Sequence, residues 1–148
     1  MPKINRKILS RKEDIVLDLE KIVRSENVLA HEDQVRPFET DALSAYKQKP
    51  MVVVFPENTN EVSKILAYCN REKIKVVPRG AGTGLSGGAL PLQDAILLGL
   101  GKFNKILEID YENKCVVTQP GVTNLGITHA VQHKGFYYAP DPSSQLAC

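Results

Sequence analysis

A glycine-rich segment placed directly after an apolar run sets the tightest limit on how this chain can fold. Ile74 to Val77 reads as a strand, and residues 78–88 follow as Pro-Arg-Gly-Ala-Gly-Thr-Gly-Leu-Ser-Gly-Gly. Glycine tolerates positive φ and lets a ligand approach the backbone closely. Such a loop can gather several backbone N–H groups into one concavity, and that kind of nest binds phosphate. The loop therefore predicts a nucleotide-type ligand. Gly82-Thr83-Gly84-Leu85-Ser86-Gly87 fits G-x-G-x-x-G, but the dinucleotide fingerprint also needs a helix opening directly from the loop. Here Pro91 follows, then the apolar run Ala95 to Leu100, which leaves no room for a crossover helix. A Walker loop is excluded because Gly-Lys-Ser/Thr is missing. Two readings remain: a strand–glycine loop–strand unit that cradles phosphate, or a flexible surface loop. Arg79 at the loop's start could pair with a phosphate, which a solvated linker does not need.

Composition narrows the class. An apolar fraction of 43% suits one globular domain. A net charge of +2 leaves no nucleic-acid footprint. Lys3, Arg6, Lys7, Arg11 and Lys12 precede the first acid, Glu13, and read as a solvated basic terminus rather than a transit peptide. There is no apolar signal core and no long apolar span, so the expectation is a soluble intracellular protein without a transmembrane segment. Cys69, Cys115 and Cys148 form no C-x-x-C pair, so no zinc or iron–sulfur site is expected. Cys69 and Cys115 read as buried free thiols. His129 and His133 lie one helical turn apart, but the metalloprotease pattern needs a Glu directly after the first His. They read as ordinary exposed or packed histidines, and His31 has no recognisable context.

Periodicity supplies the elements. Ser10 to Glu13 resembles a capping box, and Ile15, Leu19, Ile22 and Val23 recur at helical spacing up to about Ser25. Residues 26–49 read as irregular, with a helical turn near Ala42 to Tyr46. Met51 to Phe55, between Pro50 and Pro56, predicts a strand. Asn58 or Thr59 can cap the next helix, whose buried face is expected to use Val62, Ile65, Leu66 and Cys69. Strands follow at Lys75 to Pro78 and Ala95 to Leu100. Ile106 to Asp110 and Lys114 to Gln119 predict a hairpin, with Asn113 in its left-handed turn position. Pro120-Gly121 breaks the strand, Thr123 caps a helix to about His133, and Gly135 ends it. The expected fold class is α+β, built as two small α+β subdomains joined near Phe103, with residues 1–48 as a helical or irregular extension.

Four segments also carry a family resemblance: Lys49 to Pro56, Asn58 to Val62, Pro78 to Gly88, and Ala139 to Gln145. Together they resemble the N-terminal part of the FAD-linked subunit of the glycolate oxidase and D-lactate dehydrogenase family. This family carries the vanillyl-alcohol oxidase/p-cresol methylhydroxylase-type (PCMH-type) FAD-binding domain. The resemblance implies that domain over residues 49–148, with its second subdomain incomplete and FAD lying between the two. It implies that Pro78, Arg79, Gly80, Ala81, Gly82, Thr83, Gly84, Leu85, Ser86, Gly87 and Gly88 form the pyrophosphate loop. Pro140, Asp141, Pro142, Ser143 and Ser144 correspond to a second FAD-contacting loop, or otherwise to a Pro-rich surface turn. Pro120 and Gly121 match a segment beside the flavin, or otherwise a strand-to-helix turn.

Some relatives attach FAD through a loop His. Thr83 stands in that position here, so non-covalent FAD is expected. No catalytic or metal-binding residue is assigned in this chain, because the resemblance places the substrate-binding groups and the base downstream. By resemblance the reaction is FAD-dependent oxidation of a small 2-hydroxy acid such as glycolate or D-lactate to the 2-oxo acid. An iron–sulfur partner subunit is a further implication. The location implied is cytoplasmic, with peripheral attachment to the inner membrane through a partner as a variant. The chain then reads as a fragment of such an enzyme, which predicts an exposed apolar patch where the remainder would pack. The alternative is a non-catalytic FAD- or nucleotide-binding module, or a remnant that serves as an interaction domain. The Pro-Asp-Pro-Ser-Ser segment favours the glycolate and lactate branch over the UDP-N-acetylenolpyruvoylglucosamine reductases, which share the domain type.

Overall fold

Val52 to Val54 and Ala95 to Gly99 are continuous apolar runs, and the structure buries them on both faces, as parallel strands with covered faces require. The computed structural model describes residues 3–140 and 145–147. The chain begins with two short helices, α1 (Arg6–Leu9) and α2 (Lys12–Glu20), then β1 (Val28–Leu29), α3 (Glu32–Val35) and β2 (Val52–Val54). The long helix α4 (Thr59–Glu72) leads to β3 (Lys75–Arg79) and β4 (Ala95–Gly99). A hairpin, β5 (Ile106–Asp110) and β6 (Cys115–Thr118), precedes α5 (Asn124–Val131).

The first sheet has the order β1-β2-β4-β3; β2, β4 and β3 run parallel and β1 is antiparallel to β2. Alternation along its strands divides the core. Val52, Val54, Ile96 and Leu98 face α2 and α4, packing with Ile15, Leu19, Ile65 and Cys69. Val53, Ala95 and Leu97 face the other way, with Val35, Phe38 and Phe55. The α4 start follows the expected chemistry: the Asn58 side chain accepts from the Glu61 N–H at 3.0 Å. Thr123 caps α5 in the same way, accepting from the Gly126 N–H.

Several expectations need correction. The buried face of α4 uses Ile65, Tyr68 and Cys69, while Leu66 is 45% exposed. Tyr68 can be buried because its hydroxyl donates to Asp18 at 3.2 Å. Burial pushes the Cys69 thiol up to about 11, as an inert core cysteine requires. Cys115 is exposed, because β6 belongs to a two-stranded sheet with a face left open. No Ser10 capping box forms; α2 begins at Lys12 without a side-chain cap, and Asn5 caps the separate turn α1. In the β5–β6 turn the left-handed residue is Lys114, φ 54°, and Asn113 instead bonds back to Asp110. Residues 26–49, expected as irregular, contain β1 and α3. A two-residue strand and a four-residue helix carry too little periodicity to read.

A polar cluster fixes the turn after β4. Lys102 Nζ donates to the Asn27 Oδ1 at 2.7 Å and to Glu57 at 2.8 Å. Glu57 also receives Arg24 and the Asn27 amide. The Lys102 and Asn27 bonds hold the Glu57 carboxyl down at about 2. A carboxyl depressed in the folded state stabilises above its ordinary value of 4.5, and that contribution is lost as pH falls through about 2. Thermal melting should therefore fall more steeply over that interval in the wild-type protein than in Lys102→Met. Equal slopes would remove this cluster from the acid response.

Candidate functional site

The carboxyl ends of parallel strands are where open α/β sheets gather ligands. Here β3 ends at Arg79 and β4 at Gly99, and the chain leaves both through glycine-containing segments. Residues 80–94 run back along the sheet without a helix, from the end of β3 to the start of β4. The strand–glycine loop–strand reading therefore describes the backbone, and the Rossmann geometry is absent.

The loop glycines fall into two groups. Gly82 and Gly87 have φ +77° and +74°, where a side chain is strained. Gly80, Gly84 and Gly88 have no such φ, and a Cβ at any of them would meet nothing within 4 Å. Among the described residues nothing requires glycine at those three positions. What a side chain there would obstruct is approach from outside. Among the described residues, no backbone N–H from Ala81 to Ala89 is paired with an acceptor in the chain. The loop thus presents unpaired donors along a face kept clear of side chains, which is the donor set a pyrophosphate needs.

A cleft of about 220 Å³ opens beside this loop, lined by Gly80, Ala81, Gly101, Pro120, Gly121, Val122 and Ala147. It lies between the carboxyl ends of the first sheet and the end of β6. Gly121 makes the junction possible: its N–H donates to the Phe103 carbonyl at 2.7 Å. A Cβ there would stand 2.8 to 3.2 Å from the carbonyl oxygens of Phe103, Leu100 and Gly101. Pro120-Gly121 is a strand-to-helix turn between β6 and α5, and it also lines this cleft.

The site residues expected from sequence are only partly brought together. Gly80, Ala81, Pro120 and Gly121 share the cleft. Thr83, Gly84, Leu85, Ser86, Gly87 and Gly88 continue along the loop, with Leu85 72% exposed. Pro78 and Arg79 end β3. The Arg79 guanidinium does not reach into the cleft; it donates to the Thr40 carbonyl at 2.7 Å. Pro140 is exposed, and its carbonyl stands 3.5 Å from the Asn124 amide. Asp141, Pro142, Ser143 and Ser144 lie outside the described residues. The chain on their far side returns to the start of α5, where the Leu125 N–H donates to the Gln145 carbonyl. Sequence reasoning missed Gly101, although a glycine just after a buried strand was a usable signal. Ala147 carried none.

Among the described residues no group of His, Cys, Asp and Glu could hold a metal ion, and no helix is long and apolar enough to cross a membrane. His129 and His133 are exposed. Apolar residues are uncovered in both units: Leu17, Tyr46 and Leu85 in the first, and Leu107, Val117, Tyr137 and Leu146 in the second, are all 46% exposed or more. A groove of about 330 Å³ runs between the hairpin and α5, lined by Ile109, Val116, Ile127, Val131 and Phe136 among others.

This arrangement has counterparts. Residues 50–148 match the family model described as an FAD binding domain. The chain is 46% identical, over 90% of its length, to the glycolate oxidase subunit GlcD of Escherichia coli (strain K12). It is 36% identical, over 86% of its length, to a D-lactate dehydrogenase of Anaerostipes hadrus. The chain spans only 27% of the length of each. In three dimensions, p-cresol methylhydroxylase with bound substrate superposes with a TM-score of 0.74 and 24% identity. That likeness covers 85% of this chain and 25% of the other, and it shows the shared fold. The glycine loop, the cleft beside it and these likenesses agree, and the chain belongs to the FAD-binding-domain family.

Proposed function

We propose that this chain is the FAD-binding part of an oxidoreductase that converts a small 2-hydroxy acid, such as glycolate or D-lactate, to its 2-oxo acid. The observation that carries the proposal is the open face of Gly80, Gly84 and Gly88 beside the amides of Ala81 to Ala89, unpaired among the described residues. Those amides would hold the FAD pyrophosphate, with the Ser86 hydroxyl assisting. Pro120 and Gly121 would border the flavin side of the cleft, and by the family resemblance Pro140 to Ser144 correspond to a second FAD-contacting loop. When bound, FAD supplies the chemistry by accepting a hydride equivalent from the substrate α-carbon. This chain's residues bind and orient the cofactor; the groups that hold the substrate carboxylate and take its hydroxyl proton would come from further polypeptide. The relatives' greater length supports that division, and such polypeptide would cover the apolar groove beside the hairpin.

No His, Cys or Tyr occurs from Gly80 to Gly88, which supports a dissociable cofactor. An iron–sulfur partner and a cytoplasmic location belong to the same reading through the resemblance to glycolate oxidase subunits. The test uses the full-length protein with a dye as electron acceptor. Glycolate or D-lactate should reduce the dye, and acid precipitation should leave the flavin in the supernatant. FAD binding with no turnover of either acid would favour the non-catalytic module instead.

A further inference from the structure

Arg79 faces away from the cleft, and its surroundings show what it holds. From the end of β3 it donates to the Thr40 carbonyl at 2.7 Å, with the guanidinium carbon 5.9 Å from the centre of the Phe38 ring. The guanidinium also lies against the glycine loop: a Cβ on Gly82 would stand 2.5 to 2.7 Å from its atoms. The loop and residues 40–43 are tied a second time, because the Ala42 N–H donates to the Gly82 carbonyl at 2.8 Å. Leu43 reaches the loop again near Gly87, where its Cδ2 lies 3.7 Å from the direction of a side chain. The strap is itself closed, with the Gln48 N–H donating to the Glu39 carbonyl at 2.7 Å.

Asp41 sits inside this strap. It is only 5% exposed, and Oδ1 accepts the Leu43 N–H at 2.9 Å while Oδ2 has no partner among the described residues. A buried carboxylate needs a compensating charge. Its charge acts on Arg79: burial pulls the guanidinium below the ordinary arginine value, and Asp41 pulls it back up.

We infer that Arg79 and Asp41 are positioning residues that clamp the glycine loop from behind, so that residues 38–43 shape the cofactor site without touching the cofactor. The inference rests on the FAD reading for its consequence, though not for its geometry. Gly82 fits both demands at once, since it turns at positive φ and leaves room for the guanidinium. A phosphate ligand at position 79 would need its fork free on the ligand side. Here one arm is already committed to Thr40.

The test has two arms on the full protein. The first is read without cofactor, as hydrogen exchange of the Ala42 amide. Arg79→Met should raise that exchange about tenfold or more, the scale of losing a charged hydrogen bond. Arg79→Lys, which keeps the charge and a donor, should restore part of the protection. The Leu97 amide, in the core strand, should stay protected in both, which separates the clamp from general unfolding. The second arm is FAD affinity. The clamp predicts that Asp41→Asn weakens FAD binding severalfold, and that the Asp41→Asn/Arg79→Met double variant is no weaker than Arg79→Met alone. If Arg79 were instead a phosphate ligand, removing a nearby negative charge would leave FAD binding unchanged or strengthen it. That result, or an unchanged Ala42 amide in Arg79→Met, overturns the inference. Wild-type protein that fails to bind FAD would overturn the cofactor reading separately, with the exchange arm still deciding the clamp.

Discussion

Gly121→Val should lower the melting temperature by about 10 °C and weaken FAD binding in the same protein. The reason is geometric. A Cβ at this position meets three carbonyl oxygens of the 100–103 turn, at 2.8, 2.9 and 3.2 Å. These are backbone atoms, so no side-chain rotation relieves the contact. The turn cannot retreat either: the Leu100 N–H donates to the Arg79 carbonyl, Lys102 is tied to Asn27 and Glu57, and Phe103 is buried. Overpacking against so fixed a wall costs about 3 kcal/mol, or about 10 °C for a chain of this size. The cofactor effect follows because the displaced segment is a wall of the cleft. A variant that melts with the wild type and binds FAD equally well would show that the two units do not meet through Gly121.

Lys75→Met should be the second large loss, and it carries a pH signature. Asp94 is 3% exposed and accepts Lys75 Nζ at 2.8 Å and the Asn5 N–H at 2.7 Å. Burial pushes its carboxyl up, but the bonds from Lys75 and Asn5 outweigh it, so the carboxyl lies below its ordinary value. Its ionised form therefore stabilises the wild type at neutral pH, and that contribution is lost as pH falls below the ordinary value of 3.8. Without Lys75 the buried carboxylate keeps only the Asn5 N–H and its own backbone bond, at a cost of about 2 kcal/mol for a pair whose lysine is half-exposed. The folded-state carboxyl then moves up from its wild-type position, and the stability that its ionised form supplies shrinks. The gap between variant and wild type should be widest near neutrality and shrink as pH falls below the ordinary value of 3.8. Urea melts at several pH values would read this directly, and a gap independent of pH would contradict the assignment.

How much of this could be read from residues depends on how local each cause is. Asn58 and Thr123 cap their helices as expected, because a cap is a bond to an amide three positions on. Strands β2 and β4 were legible because their burial on both faces leaves unbroken apolar runs. The glycine loop declared itself through composition. Its sorting into strained glycines, Gly82 and Gly87, and open ones, Gly80, Gly84 and Gly88, needed coordinates. The turn of Arg79 toward Thr40 was not legible, since nothing in the spacing of positions 79 and 40 says that they meet. Leu66 and Cys115 were misplaced for related reasons. Tyr68 takes the buried place on α4 through a partner on α2, and β6 has no second layer over Cys115.

The most direct test of the central claim is an FAD titration of wild-type protein and Gly84→Val, followed by flavin fluorescence, with melting temperatures measured alongside. Among the described residues a Cβ at Gly84 meets nothing within 4 Å, and the backbone there is not at positive φ, so folding should be almost unchanged, within about 0.5 kcal/mol. The account predicts saturable binding by the wild type and affinity at least about tenfold weaker in the variant, a difference of about 1.4 kcal/mol. Equal binding by the two proteins would place the cofactor elsewhere, and no binding by folded wild-type protein would contradict the FAD site itself.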